Sequence, residues 1–421
     1  MSDPKALIGA SIPRSGHHFL ASILLAYYGN ELFYCEQYNA PNCCDKVPCS
    51  HRGPHKITYR KSHDREFTLN QKVNDALYIV QHRHPVPEAL SDRELEMRNA
   101  PVGATLCYHS TPEHYSWWLA VKATYYRKFH DKWMAGTMPN AIYLDYDNLS
   151  SDPGSAVRPI LAWASGEISE ARLLDALKDA AGRRIGGQDG KATFKPRVID
   201  DSPYFDAKLL GAFESYVVSR CPSFGYARQL PGSYETTELY GLILLSDEAE
   251  PLPAGETDRL AVASELAPTH PETSRRHIQT MIQAGNAEEA VARIVDLVSQ
   301  YPLFRPSYRT LFAACRQAKV VPPLLTISGN ARMACAGNAN LLTDVGAALA
   351  AHSLQNDALD VLSEAIATDP NCERAYRTMS QILIEKGLWA DAFPVAEKAA
   401  ALQPESAGNT RRLDRIRRHL Q

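Results

Sequence analysis

"ALIGASIPRSGHHFLASILL", residues 6–25, carries the first decision about the fold. An apolar run over residues 6–12 meets a polar loop, Pro13-Arg14-Ser15-Gly16-His17-His18, and a second apolar run follows over residues 19–25. Apolar segment, sharp polar break and apolar segment read as strand, loop and helix. The first free N–H groups of a helix carry a partial positive charge and attract anions. Gly16 lets backbone approach a ligand closely, Arg14 adds a fixed charge with a fork of donors, and Ser15 adds a hydroxyl. The loop therefore has the composition of a phosphate cradle, and equally that of a polar turn with a capping serine. It lacks G-x-x-x-x-G-K-[ST], so it is not a Walker A loop.

Outward from the loop, strand-like runs recur at residues 56–62, 77–82 and 141–146. Helix-like segments fall at 16–28, 86–98 and 153–164, and residues 113–134 read as a long helix with aromatics on one face. Strands alternating with helices predict βαβ units, a parallel sheet and an α/β class for a first domain over residues 1–232. Beyond it the strands disappear. Windows 271–304, 305–338, 339–372 and 373–406 overlay at a period of 34 residues. In the third, Leu342, Val345, Gly346, Leu349, Ala358, Leu362, Ala365 and Pro370 fall where Tyr376, Met379, Ser380, Leu383, Ala392, Ala396, Ala399 and Pro404 fall in the fourth. Small residues at these places let two helices touch, and proline ends the second. Window 305–338 fits poorly, with Val320-Val321-Pro322-Pro323 at its turn. Residues 233–270 read as a linker or a degenerate repeat, and 409–420 as a basic helix capping the array. The 271–421 region resembles tetratricopeptide repeats, which implies an all-α solenoid and a surface for a protein partner or a second protomer.

A chain of 421 residues is long enough for two or three domains. With 45% apolar and 22% charged residues it reads as globular, and a net charge of −3 gives no global bias toward nucleic acid. No signal-peptide pattern and no run near the ~20 apolar residues of a membrane span is present, so a cytoplasmic protein without a membrane span is expected. The nine cysteines are an odd number without a secretory pattern, which argues against a disulfide framework.

Three further stretches carry chemistry: "YRKSHD" (59–64), "IVQHRHPVPEALS" (79–91) and "AIYLDYDNLSSDP" (141–153), the last read as a strand closing in an acidic turn. With the first loop they resemble the sulfotransferases that use 3′-phosphoadenosine-5′-phosphosulfate (PAPS). The family's P-[KR]-[ST]-G-T-x-x-L is matched by Pro13-Arg14-Ser15-Gly16-His17-His18-Phe19-Leu20, and its K-[ST]-H by Lys61-Ser62-His63. Its R-D-P-x-D-x-x-x-S is matched by Arg83-His84-Pro85 through Ser91, and its Y-E-D-L-x-x-x-P by Tyr146-Asp147-Asn148-Leu149 with Pro153. Order and spacing agree over residues 5–225. The resemblance implies a P-loop-like sulfotransferase domain and sulfuryl transfer to an acceptor hydroxyl, with no metal required. A glycan or glycolipid acceptor is expected first, then a peptide tyrosine or a small phenol. It implies that Arg14, Ser15, Gly16, His17 and His18 hold the 5′ end of the donor and that Arg83 and Ser91 hold the 3′-phosphate. Lys61 would sit at the transferring group and His63 would be the base. His17 stands where the family has threonine, and His84 where it has aspartate. The family's closing glycine-rich stretch has its nearest counterpart at residues 190–198, where Lys195 and Arg197 are candidate grips on the donor.

Residues 35–49 hold Cys35, Cys43, Cys44 and Cys49, with His51 and His55 beyond. Zinc, a labile disulfide and reduced thiols are three readings of them, and the spacing matches no common C-x-x-C pair. Tyr34, Tyr38, Tyr115, Trp117, Trp118, Tyr125 and Tyr126 are candidate lining of an acceptor pocket, or core. A nucleotide-dependent kinase and a non-catalytic repeat scaffold are the competing function classes.

Overall fold

The computed structural model describes residues 5–36, 43–44, 46–50, 55–99, 109–136, 138–182, 199–232 and 236–421. Tyr38, His51, Lys195 and Arg197 lie outside the described residues. The chain divides into two compact units, one of residues 1–95 and 119–236, the other of 96–118 and 237–421.

In the first unit five strands form one parallel sheet: β1 (Lys5–Ser11), β2 (Leu32–Glu36), β3 (Ile57–Ser62), β4 (Ala76–His82) and β5 (Ala141–Asp145), in the order β2-β3-β1-β4-β5. All of β3 and β4 and six of the seven residues of β1 are buried, as strands covered on both faces require. Helix α1 (His17–Tyr28) follows β1, α2 (Pro85–Asn99) follows β4 with its residues to 95 in this unit, and α3 (Pro112–Trp133), in this unit from residue 119, precedes β5. Then come α4 (Tyr146–Ser151), α5 (Pro153–Ser165), α6 (Glu170–Gly182) and α7 (Ala207–Arg220). Leu20, Ile23 and Leu24 of α1 pack with Leu7, Leu77, Ile79, Ile160, Leu161 and Leu173, so α1, α5 and α6 cover one face. On the other, the fully buried Trp133 of α3 meets Tyr78, with ring centroids 5.8 Å apart.

The apolar runs end within a residue of where the sequence puts them. Helices α6 and α7 have no counterpart in the sequence reading, and two further elements differ. Strand β2 is absent from the sequence reading because five residues, LFYCE, are too few to show a period. The expected acidic turn after β5 is the short helix α4: the Asp145 carboxylate accepts from the N–H groups of Asp147 and Asn148, and so starts a helix.

Strand β1 lies between β3 and β4, reached by crossovers running in opposite directions from it. Its carboxyl end is the switch point of the sheet, where open α/β sheets leave a crevice. Residues 11–18 occupy it.

The second unit is helical. Helices α8 (Thr237–Ser246) and α9 (Arg259–Leu266) form a packed pair over residues that read as linker or degenerate repeat, burying Leu244, Leu245, Val262 and Ala263. Helices α10 (Pro271–Gln283), α12 (Arg305–Ala318), α15 (Ala339–Ala351) and α17 (Glu373–Glu385) begin 34 residues apart, and so does α19 (Ala407–Leu420). Their second helices are α11 (Ala287–Gln300), α16 (Gln355–Thr368) and α18 (Trp389–Leu402). In window 305–338 the second helix is broken into α13 (Leu324–Ile327) and α14 (Asn330–Cys335), with Pro322-Pro323 before it and Gly329 at φ 66° inside it. Gly346 shows why the small positions are small: a Cβ there would stand 2.8 Å from Leu362 Cγ of the paired helix. Helix α19 packs on α18, buries Leu413 and Ile416, and exposes Arg411, Arg415, Arg417 and Arg418. Among the described residues no helix is long and apolar enough to cross a membrane.

Candidate functional site

Each predicted site residue with described coordinates lies at the end of β3, on a loop or helix start at the carboxyl ends of β1, β3 and β4, or in the helix after β4. The loop after β1 is held in a shape few residues adopt. Gly16 has φ 84° and Arg14 has φ 61°, both in the left-handed region. A Cβ on Gly16 would stand 2.9 Å from the Tyr146 ring. The glycine is therefore required by conformation and by space. Ser15 is buried and its hydroxyl donates to Ile12 O at 2.6 Å, so its proton is spent on holding the loop.

Two clusters flank this loop. In the first, Arg14 Nε donates to Ser91 Oγ at 3.0 Å, and Arg83 Nη1 donates to Arg14 O at 3.2 Å. The Arg83 guanidinium lies 4.0 Å from the Tyr146 ring centroid. Arg83 is buried, yet its Nε has no hydrogen-bond partner among the described residues. A buried donor without an acceptor is costly, and an anion would satisfy it. Arg83 does not pair with Glu88 of the following helix, since Glu88 meets Lys122 at 2.8 Å and accepts from Tyr126 at 3.2 Å. Tyr126 also donates to Arg83 O at 3.1 Å, so α3 props the end of β4.

The second cluster gathers Lys61, His63, His17, His18 and Glu36. Lys61 is 4% exposed. Its ammonium reaches Glu36 Oε1 at 3.0 Å and His63 Nε2 at 2.9 Å. His63 Nδ1 lies 2.7 Å from Ser11 O, and a carbonyl can only accept, so the hydrogen sits on Nδ1 and Nε2 keeps its lone pair. Tyr125 donates to His63 O at 2.6 Å. Asp64 does not compete for this histidine: it accepts from Leu69 N, Lys132 Nζ and Trp133 Nε1, and builds the turn.

His17 is the unusual member. Its ring lies edge-on to His18 at 4.1 Å and to His63 at 4.9 Å between centroids. Neither of its nitrogens makes a hydrogen bond among the described residues, and Nε2 stands 3.9 Å from Glu36 Oε1. His18 Nε2 reaches the same oxygen at 3.2 Å. Burial, then the Lys61 charge, lowers the His17 pKa well below its ordinary value. The same two causes bring His63 down to about 3. Burial also lowers Lys61, although Glu36 pulls the other way. For Glu36, burial pushes upward, but hydrogen bonds from His18 and Lys61 outweigh it and hold the carboxyl at about 2. At neutral pH the site therefore holds neutral His17 and His63 beside an ionised Glu36–Lys61 pair. The ligand atoms of His17, His18 and Glu36 lie within 4.8 Å of one another, but the Lys61 ammonium already supplies the cation there.

Sequence reasoning missed Glu36 and Tyr146 as site residues. Glu36 ends a strand too short to read, and Tyr146 was visible only as part of a motif. Of the candidate pocket aromatics, Tyr34 donates to Glu36 at 3.4 Å and Tyr125 reaches His63, whereas Tyr126 is fully buried core. Trp117 packs instead on the core of the helical unit. His84 does not take the place of a ligand-facing aspartate: it is buried, with Nε2 3.0 Å from Ala227 O.

No protein-family model matches the chain, and no curated protein matches it.

Proposed function

We propose that the first unit is a PAPS-dependent sulfotransferase and that the helical unit is an array of tetratricopeptide repeats. The observation that carries the first reading is the buried Arg83 guanidinium, whose Nε has no partner among the described residues, next to the Arg14–Ser91 pair, a second anion site near the helix start of α1. A donor with phosphates on both its 5′ and 3′ positions uses two such sites, and an ordinary nucleotide uses one. The 34-residue spacing of helix starts and the close approach at Gly346 support the second reading.

The bound donor supplies the sulfuryl group and a phosphate leaving group. Arg14 and the N–H groups at the start of α1 would hold its 5′ end, and Arg83 with Ser91 its 3′-phosphate. The protein's share is positioning and charge neutralisation. Lys61 occupies the His63 lone pair in the free protein. When Lys61 turns from His63 to an anion, Nε2 is freed to take the proton of the acceptor hydroxyl. Nδ1–H stays on Ser11 O and fixes the tautomer throughout. Glu36 keeps Lys61 charged despite its burial. A glycan or glycolipid hydroxyl is the proposed acceptor, ahead of a peptide tyrosine or a small phenol, and the repeats offer a surface for a protein partner or a second copy.

Isothermal titration with adenosine 3′,5′-bisphosphate tests the reading. Arg83→Ala should weaken binding by about 10- to 150-fold, the worth of a charge-assisted hydrogen bond. His63→Ala should leave that binding within a few-fold and abolish transfer. If ATP binds as tightly as the bisphosphate, the 3′-phosphate site is wrong and a kinase reading takes its place.

A further inference from the structure

We propose that Cys35, Cys44 and Cys49 are thiolate ligands of a zinc ion that fastens strand β2 beside the candidate site. No role in the transfer chemistry is assigned to this ion.

The three sulfurs lie within 4.8 Å of one another, and those of Cys44 and Cys49 are 3.5 Å apart. A tetrahedral zinc site with Zn–S of about 2.3 Å sets its sulfurs about 3.8 Å apart, whereas a disulfide sets them at about 2.05 Å. The spacing is that of thiols sharing an ion. A disulfide would also use two of the three and leave the third over. The convergence is made by the fold. Cys35 lies inside β2 and is fully buried, Cys49 is buried, and Cys44 is half-buried. That is why the sequence spacing matches no paired motif.

Charge supports the assignment. Three thiolates and one divalent ion leave a net charge of −1. Arg60, 1% exposed on β3, sets Nη1 3.9 Å from Cys44 Sγ and also donates to Lys46 O. Its Nε has no partner among the described residues. A cluster of net −1 beside this buried guanidinium neutralises it. Ser50 N–H donates to Cys44 Sγ at 3.4 Å, the kind of outer contact that orients a metal-bound thiolate.

The place of the cluster gives it a purpose. Cys35 pairs in register with Arg60, and the next pair along is Glu36 with Lys61. An ion on Cys35 would hold the end of an edge strand whose last residue orders the lysine of the site.

The full-length chain, purified under reducing conditions and desalted, should carry about one zinc per chain by mass spectrometry of the metal. Cys44→Ser and Cys49→Ser should lose most of it, while Cys315→Ser in the helical unit keeps it. Cobalt substitution should give thiolate-to-metal charge-transfer absorption that weakens with each serine. If the variants fail to fold, alkylation of the unaltered protein replaces them: Cys35, Cys44 and Cys49 should be shielded until a chelator is added. Zinc well below one equivalent, a Cys44–Cys49 disulfide without metal, or alkylation indifferent to chelation would each overturn the proposal.

Discussion

At the scale of the residue, the arrangement around His63 sets a pH dependence unlike that of an ordinary histidine. A free imidazole gains its proton near pH 6.5, and a base of that kind loses activity below it. Burial and Lys61 hold His63 at about 3 in the free protein. With His63 as the base of the proposed transfer, the acid limb of kcat/KM from this residue should therefore be absent between pH 5 and 8, and a limb at 6.5 in a rate profile would contradict the arrangement. Gly16 answers to sterics instead. Alanine there meets both a left-handed backbone and the Tyr146 ring, so Gly16→Ala should cost about 1–3 kcal/mol in a denaturant titration. A neutral result would show that the loop can relax away from Tyr146.

At the scale of the element, Gly346 sets two effects against each other. Alanine is preferred over glycine inside a helix by about 1 kcal/mol. The added methyl would stand 2.8 Å from Leu362 and 3.3 Å from Ala358 O, and overpacking typically costs about 1–3 kcal/mol. The contact involves backbone as well as side chain, so the clash should win and Gly346→Ala should lower the melting temperature. A higher melting temperature would mean that α15 and α16 can separate at no cost. The same scale explains what was readable. The long apolar runs, the polar breaks after β1, β3 and β4, and the 34-residue spacing are local patterns, and each element appears where its pattern stands. Strand β2 is held in place by pairing with β3 along its whole length, which no local pattern reports.

At the scale of the whole molecule, the buried histidines make stability depend on pH. His17, His63, His82 and His84 all have pKa values lowered by burial, His63 to about 3 and His82 to about 4. The unfolded chain binds protons at these sites first, so their contribution is complete above about pH 6.5 and is lost as pH falls toward their folded values. Glu36, held at about 2, adds a loss of the same sign only between about pH 4.5 and 2. Glu88, raised by burial to about 7, acts in the opposite sense, one group against the lowered histidines, His270 among them. The urea midpoint should fall between pH 7 and pH 5, before the Glu36 window opens, and a midpoint that stayed level or rose would refute this. The sequence by itself determined the long elements and the loop, because apolar period, a glycine that must be left-handed and the N–H groups of a helix start are properties of neighbouring residues. Which side chains meet was decided only by the tertiary structure. Burial and charge at the end of a parallel sheet depend on strand order, and strand order brings Glu36 to Lys61, Arg83 to Tyr146, and Cys35 to Cys44 and Cys49 across stretches of chain that share no period.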